Sequence, residues 1–217
     1  MTAALTQVDG VADFDWRERW HGDRELAGAC VLAGLADVPD GRQVFQTTYL
    51  NASYVEYLEA DAEYQLVWLI RNPRSVVRSM VYNWSEFSLA ELFKSCGTGA
   101  YEQFPAEFRT TRSRALARLT RACASYVGKN EQLHELAARI PSRLTVISYD
   151  QLVQHPVEDL TTLCKQLGLN GAKQASTMLR KDSLDKHETL SPRERRAVDE
   201  LCSGAFRDAL ALAINQR

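Results

Sequence analysis

The strongest constraint on this chain is a single passage, VWLIRNPRSVVRSM, in which an apolar run stops at a proline and a polar, helix-compatible segment follows. The run Gln65–Ile70 has no polar residue after its first position, which suits an inner strand of a parallel sheet, buried on both faces. Pro73 has a fixed φ and no N–H, so it interrupts a strand but fits the first turn of a helix, and a helix is predicted over Ser75–Trp84. Ligands of open parallel sheets bind beyond the C-terminal ends of the strands, where Arg71 falls. Its guanidinium is a rigid fork for a phosphate, a helix N-terminus offers free N–H groups and a positive dipole end, and Ser79 adds a hydroxyl.

The same strand-then-helix order recurs. A short β-type run at Gln43–Thr48 precedes a helix at Ala52–Leu58, and the run Leu144–Tyr149 precedes a helix at Val157–Leu167 that Gly168 should cap. Ahead of these, Glu25–Ala36 reads as a helix ended by the turn former DVPDG. Residues 85–112, broken by Gly97, Gly99 and Pro105, read as short helices joined by a mobile loop, and Ser113–Arg139 as a packing helix with Gly128 as an interruption or kink. Ser191-Pro192-Arg193-Glu194 has the form of an N-cap, a first-turn proline and a capping box, so a last helix begins there. With no internal repeat, the pattern predicts one α/β domain over residues 1–217, its parallel sheet flanked by helices.

Composition narrows the partners. A net charge of −2 provides no general attraction to nucleic acid or to an anionic membrane, so neither is expected as a partner and any phosphate affinity must be local. The five cysteines are scattered without CxxC spacing, so neither a zinc site nor a redox pair is expected. No apolar run approaches the roughly 20 residues of a membrane span and no signal peptide is evident, so a soluble, cytoplasmic protein is expected.

The passage around Arg71 resembles the second nucleotide-binding motif of the sulfotransferase family, Arg-[Asp/Asn]-Pro-Arg with a serine downstream. The resemblance implies a sulfotransferase or P-loop nucleotide-hydrolase-like fold. It also implies 3′-phosphoadenosine 5′-phosphosulfate as co-substrate, with Arg71 and Ser79 on its 3′-phosphate. A second stretch, LTVISYDQLVQHPVEDLTTLCKQLGL, is similar to the family's later strand and helix and would put Tyr149 near the adenine. A third, Met178-Leu179-Arg180-Lys181-Asp182, resembles the Arg-Lys-Gly loop that closes over the 3′-phosphate, with Asp182 in place of the glycine, and assigns Arg180 and Lys181 to the nucleotide. The resemblance covers about residues 42–205 and leaves 1–41 atypical.

The family's glycine-rich loop, approximately Pro-[Lys/Arg]-Ser-Gly-Thr-[Ser/Thr], has no counterpart in the sequence, so an N-terminally truncated fold is expected. That loop would cradle the 5′-phosphosulfate. The region of the family's acceptor base, Gln46-Thr47-Thr48-Tyr49, holds nothing that titrates near neutral pH, and His21, His134, His155 and His187 are isolated, so no catalytic residue is assigned. Three functions stay open: sulfuryl transfer to a hydroxyl or amine acceptor, a non-catalytic binding or interaction module of the same fold, and another phosphate-handling α/β enzyme such as a small kinase. The last lacks GxxxxGK[ST]. A truncated sheet would also leave an edge for a protein partner or self-association.

Overall fold

A computed structural model describes residues 11–12, 42–43, 65–179 and 188–215. Two short strands, β1 (Val11–Ala12) and β2 (Arg42–Gln43), pair in parallel, with Val11 opposite Arg42. The remaining predicted elements before residue 65, Glu25–Ala36, Ala52–Leu58 and the rest of Gln43–Thr48, lie outside the described residues.

The apolar run forms β3 (Leu66–Ile70), and the chain turns directly into α1 (Pro73–Asn83), with Pro73 in the first turn as its geometry requires. The next stretch is more regular than its glycines predict. Here α2 (Glu86–Leu92) passes through a π-helical segment, Phe93–Gly97, into α3 (Thr98–Gln103), and a short α4 (Ala106–Arg109) follows. Helical segments packed on their neighbours thus replace the expected mobile loop, because Leu89, Leu92, Ala100 and Phe104 are buried in the main core.

The long helix α5 (Arg114–Arg139) is unbroken, so Gly128 does not interrupt it. The physical reason is proximity. A Cβ at Gly128 would come within 2.6 Å of the carbonyl carbon of Cys96 and closer still to its oxygen, and a Cβ at Gly97 would meet Ser125 at 3.0 Å. The two glycines let the π-helical segment and α5 approach backbone to backbone.

The chain returns to the sheet as β4 (Leu144–Ser148), parallel to β3 with Leu66 opposite Leu144 and Ile70 opposite Ser148. Ser148 then caps α6 (Tyr149–Gln154), so Tyr149 opens a helix where a strand end was expected. Next come α7 (Pro156–Gln166), α8 (Ala172–Ser176) and α9 (Pro192–Leu210). Gly168 ends α7 at φ 63°, as predicted, and the Ser191–Glu194 capping box opens α9 with both reciprocal hydrogen bonds made.

Alternation along the strands builds a layered α/β architecture. The even face, with Ile70 and Val146, packs on Leu133 of α5 and Ala209 of α9, while Val67 and Ile147 on the odd face meet Leu152, Leu160 and Leu163 of α6 and α7. β3 is not buried on both faces as its composition predicts: the odd-face cluster takes in Val67 but not Leu69, which stays 40% exposed. Beyond β4, the chain supplies its own edge. The Ile214 N–H donates to the Val146 carbonyl at 2.9 Å, and the Asn215 side chain both accepts from the Ser148 N–H at 2.8 Å and donates to the Ser148 carbonyl at 3.1 Å. Asn215 also donates to the buried Asp159 carboxylate at 2.6 Å.

Candidate functional site

The C-terminal ends of β3 and β4 lie side by side, so residues 71–74 and 149–150 emerge next to each other. The Arg71 guanidinium carbon sits over the Tyr149 ring, 5.0 Å from its centre, a cation–π arrangement. Two residues predicted from separate stretches of sequence are thereby brought together. Ser79 lies two turns along α1, about 10 Å from the start of that helix at 1.5 Å per residue, half-buried, and accepts a hydrogen bond from the Asn83 side chain at 3.4 Å. Arg180 and Lys181 lie outside the described residues, as do His21 and His187.

The helix N-terminus differs from expectation. Asn72 is the N-cap, and its side chain accepts from the Arg74 N–H at 2.9 Å while its carbonyl accepts from Ser75 and Val76 at 3.1 and 3.2 Å. Pro73 has no N–H, and the Asn72 N–H donates to the Asp150 carboxylate at 2.5 Å. The first-turn donors are therefore engaged within the protein, and Asp150 already meets the positive end of the helix dipole. The reason is local: an Asn-Pro pair supplies a side-chain cap and removes one donor in consecutive positions. An anion at this site must be met by side chains.

Four further contacts hold the loop from other parts of the fold. The Tyr126 hydroxyl of α5 donates to the Arg71 carbonyl at 3.0 Å. Arg74 makes a bidentate pair with Asp199 of α9, Nε to Oδ1 at 2.7 Å and Nη2 to Oδ2 at 2.5 Å, so this second arginine is engaged in structure. Arg78 donates to Thr189 at 3.0 Å, and Tyr82 donates to Glu194 at 2.8 Å, which docks the entry to α9 on α1. The far end of α1 is closed by Arg118, whose guanidinium donates to the carbonyls of Val81 at 3.0 Å and Trp84 at 2.7 Å and pairs with Glu86 at 2.6 Å.

Sequence reasoning missed Tyr126, Asp199 and Arg118. Tyr126 sits among the apolar positions of α5 and reads as core, and nothing in the local sequence distinguishes Asp199 or Arg118 from solvated charges. Asp150 follows Tyr149 directly in the stretch that resembles the family's later strand and helix. The described histidines, His134 and His155, are exposed. Cys123, Cys164 and Cys202 are buried free thiols and Cys96 is half-buried. Burial pushes the Cys164 thiol up, and the contact with Cys123 together with burial pushes Cys202 well up, which favours the protonated thiol at both. Among the described residues no group of three or more His, Cys, Asp and Glu side chains could hold a metal ion, and no helix is long and apolar enough to cross a membrane.

A parallel pair of strands with helices on both faces and an arginine over an aromatic ring at the strand ends defines an α/β protein with a candidate site at the C-terminal edge of its sheet. The family model of the sulfotransferases matches residues 12–173, and the chain belongs to the sulfotransferase family. That match takes in most of the atypical first 41 residues and stops short of Arg180. No curated protein matches the chain. A solved structure, the sulfotransferase domain from the curacin biosynthetic pathway, is similar over 80% of this chain at 17% identity and a TM-score of 0.48; the chain spans 66% of that domain's length.

Proposed function

We propose that the protein binds 3′-phosphoadenosine 5′-phosphosulfate and transfers its sulfuryl group to a hydroxyl or amine acceptor, with Arg71 and Ser79 on the 3′-phosphate and Tyr149 beside the adenine. The observation that carries this reading is the Arg71 guanidinium stacked on Tyr149 at the ends of two adjacent parallel strands. A guanidinium placed over an aromatic ring brings the charge and the planar donor set that suit a phosphate. Arg180 and Lys181 join the site on the strength of the family resemblance.

In this reading the acceptor oxygen or nitrogen attacks sulfur as the bond from sulfur to the phosphate oxygen breaks, 3′,5′-phosphoadenosine leaves, and the acceptor's proton passes to water. Arg71 and Ser79 hold the nucleotide so that attack and departure are in line; they orient and do not transfer protons. Arg71, placed over the Tyr149 ring, supports the 3′-phosphate end of this reading. For the 5′-phosphosulfate end, the 217 residues contain no Pro-[Lys/Arg]-Ser-Gly-Thr-[Ser/Thr] segment, and the first-turn N–H groups of α1 are already engaged. This favours a second reading, in which the chain holds the nucleotide without turning it over.

Calorimetric titration of 3′,5′-phosphoadenosine into the wild-type chain and Arg71→Ala tests the binding step. Loss of a charge-assisted phosphate contact should weaken binding by about 1.5–3 kcal/mol. Equal affinity in the two proteins sinks the site. Sulfate transfer from labelled co-substrate to hydroxyl and amine acceptors separates the two readings, and ATP binding tighter than the 3′-phosphorylated nucleotide would favour a kinase-type enzyme.

A further inference from the structure

We infer that Tyr126 is a positioning residue of the nucleotide site, acting through the main chain of Arg71. The inference rests on the nucleotide reading of Arg71 given above.

The Arg71 carbonyl stands where the chain leaves β3 and has not yet entered α1. In a continuing helix it would accept from the Ser75 N–H, but that donor goes to the Asn72 carbonyl at 3.1 Å. Tyr126 fills the vacancy from 55 residues away, its hydroxyl 3.0 Å from the carbonyl oxygen. The next main-chain group along, the Asn72 N–H, is held by Asp150. The peptide between Arg71 and Asn72 is thus gripped at its oxygen by α5 and at its nitrogen by α6, and a peptide held at both ends cannot rotate about its flanking bonds.

The grip matters for the side chain because the peptide plane sets the direction of the Arg71 Cα–Cβ bond, and the guanidinium must land on the Tyr149 ring. The supporting end is itself fixed. Tyr126 is 4% exposed and packed in the main core, and Asn130, one turn on, donates its side-chain amide to the Tyr126 carbonyl at 2.8 Å. Burial holds the phenol above its ordinary range, so the hydroxyl keeps the proton it donates.

Tyr126→Phe removes the donor and keeps the ring. Titrated with 3′,5′-phosphoadenosine, it should bind about tenfold more weakly than wild type, the effect of one lost hydrogen bond relayed to a phosphate contact. In the Arg71→Ala background the same substitution should change affinity less than about twofold, since its effect passes through Arg71. Amide exchange supplies a readout independent of ligand: protection at residues 71–76 should fall while α7 keeps its own. Wild-type affinity in Tyr126→Phe, an undiminished effect in the Arg71→Ala background, or a variant that no longer melts cooperatively each overturns the inference. If the wild-type chain binds no nucleotide, the functional reading fails, and the grip is then judged on exchange alone, where unchanged protection at 71–76 overturns it.

Discussion

Gly128→Ala offers a test in which even the sign of the effect is informative. At an open position inside a helix, alanine is favoured over glycine by about 1 kcal/mol. At Gly128 the added Cβ would stand 2.6 Å from the Cys96 carbonyl carbon, whereas carbon atoms rest at about 3.5–4.0 Å. The π-helical segment and α5 would have to separate by well over about 1 Å, since the Cys96 oxygen stands nearer still, and the obstacle is backbone, which no rotamer change relieves. Overpacking of this kind costs about 3 kcal/mol or more, well beyond the propensity gain, so the net effect is destabilising by at least 2 kcal/mol by this estimate. For a chain of this size that lowers the melting temperature by about 4–8 °C. Gly204→Ala in α9 is the control, since a Cβ there meets nothing within 4 Å, and it should raise the melting temperature slightly. Melting by circular dichroism of both variants checks the pair. A Gly128→Ala protein that melts at or above wild type would refute the close approach of α5 and the π-helical segment.

Two further outcomes follow from contacts already described. Arg118→Ala leaves the last carbonyls of α1 without their guanidinium, which is only 15% exposed, and should lower stability by about 2–3 kcal/mol in urea unfolding; Arg118→Lys should recover less than half of that, because an ammonium cannot span Val81, Trp84 and Glu86 together. A stability loss under 0.5 kcal/mol by that same measurement would show, on the usual scale of surface charges, that the cap is idle. Burial opposes ionisation of Glu194, but hydrogen bonds from Ser191 and Tyr82 outweigh it and hold the carboxyl below its ordinary range. A group with a lowered folded pKa stabilises above its unfolded pKa, near 4.5, and the contribution disappears as pH falls through the folded value. The stability gap between wild type and Glu194→Gln should therefore be full at neutral pH and shrink below about pH 4.5; a gap constant from acid to neutral pH counts against the linkage.

How much of this was legible in the sequence depends on how far apart the cooperating residues lie. Pro73 at the start of α1, Gly168 after α7 and the Ser191–Glu194 box are local devices whose meaning is complete within a few residues, and each forms as read. The strand at Leu66–Ile70 was equally plain, but its burial on both faces was not, since composition does not say which neighbour covers Leu69. Gly97 and Gly128 were visible as glycines but misread as flexibility. A glycine that breaks a helix and one that admits another backbone look alike until the partner, Cys96, is in place. The family resemblance named Arg71 and Tyr149 separately, without their contact, and the contacts that hold the loop span 55 residues to Tyr126, 78 to Asp150 and 125 to Asp199. No local pattern encodes such distances. The free N–H groups expected at α1 were lost to Asn72 and Asp150, although both residues were in view.

The rung that Asn215 adds beside Ser148 has a consequence in time. The two residues are 67 apart in sequence, and at about 5–20 residues per second a ribosome needs roughly 3–13 s to make the intervening chain. Throughout that interval β4 has been synthesised while the edge that Ile214 and Asn215 will occupy is open, and it is this strand that leads into Tyr149 and Asp150. The nascent chain thus passes seconds with the outer edge of β4 uncovered next to its candidate nucleotide site, the interval in which a chaperone or a neighbouring nascent chain could pair with that edge first.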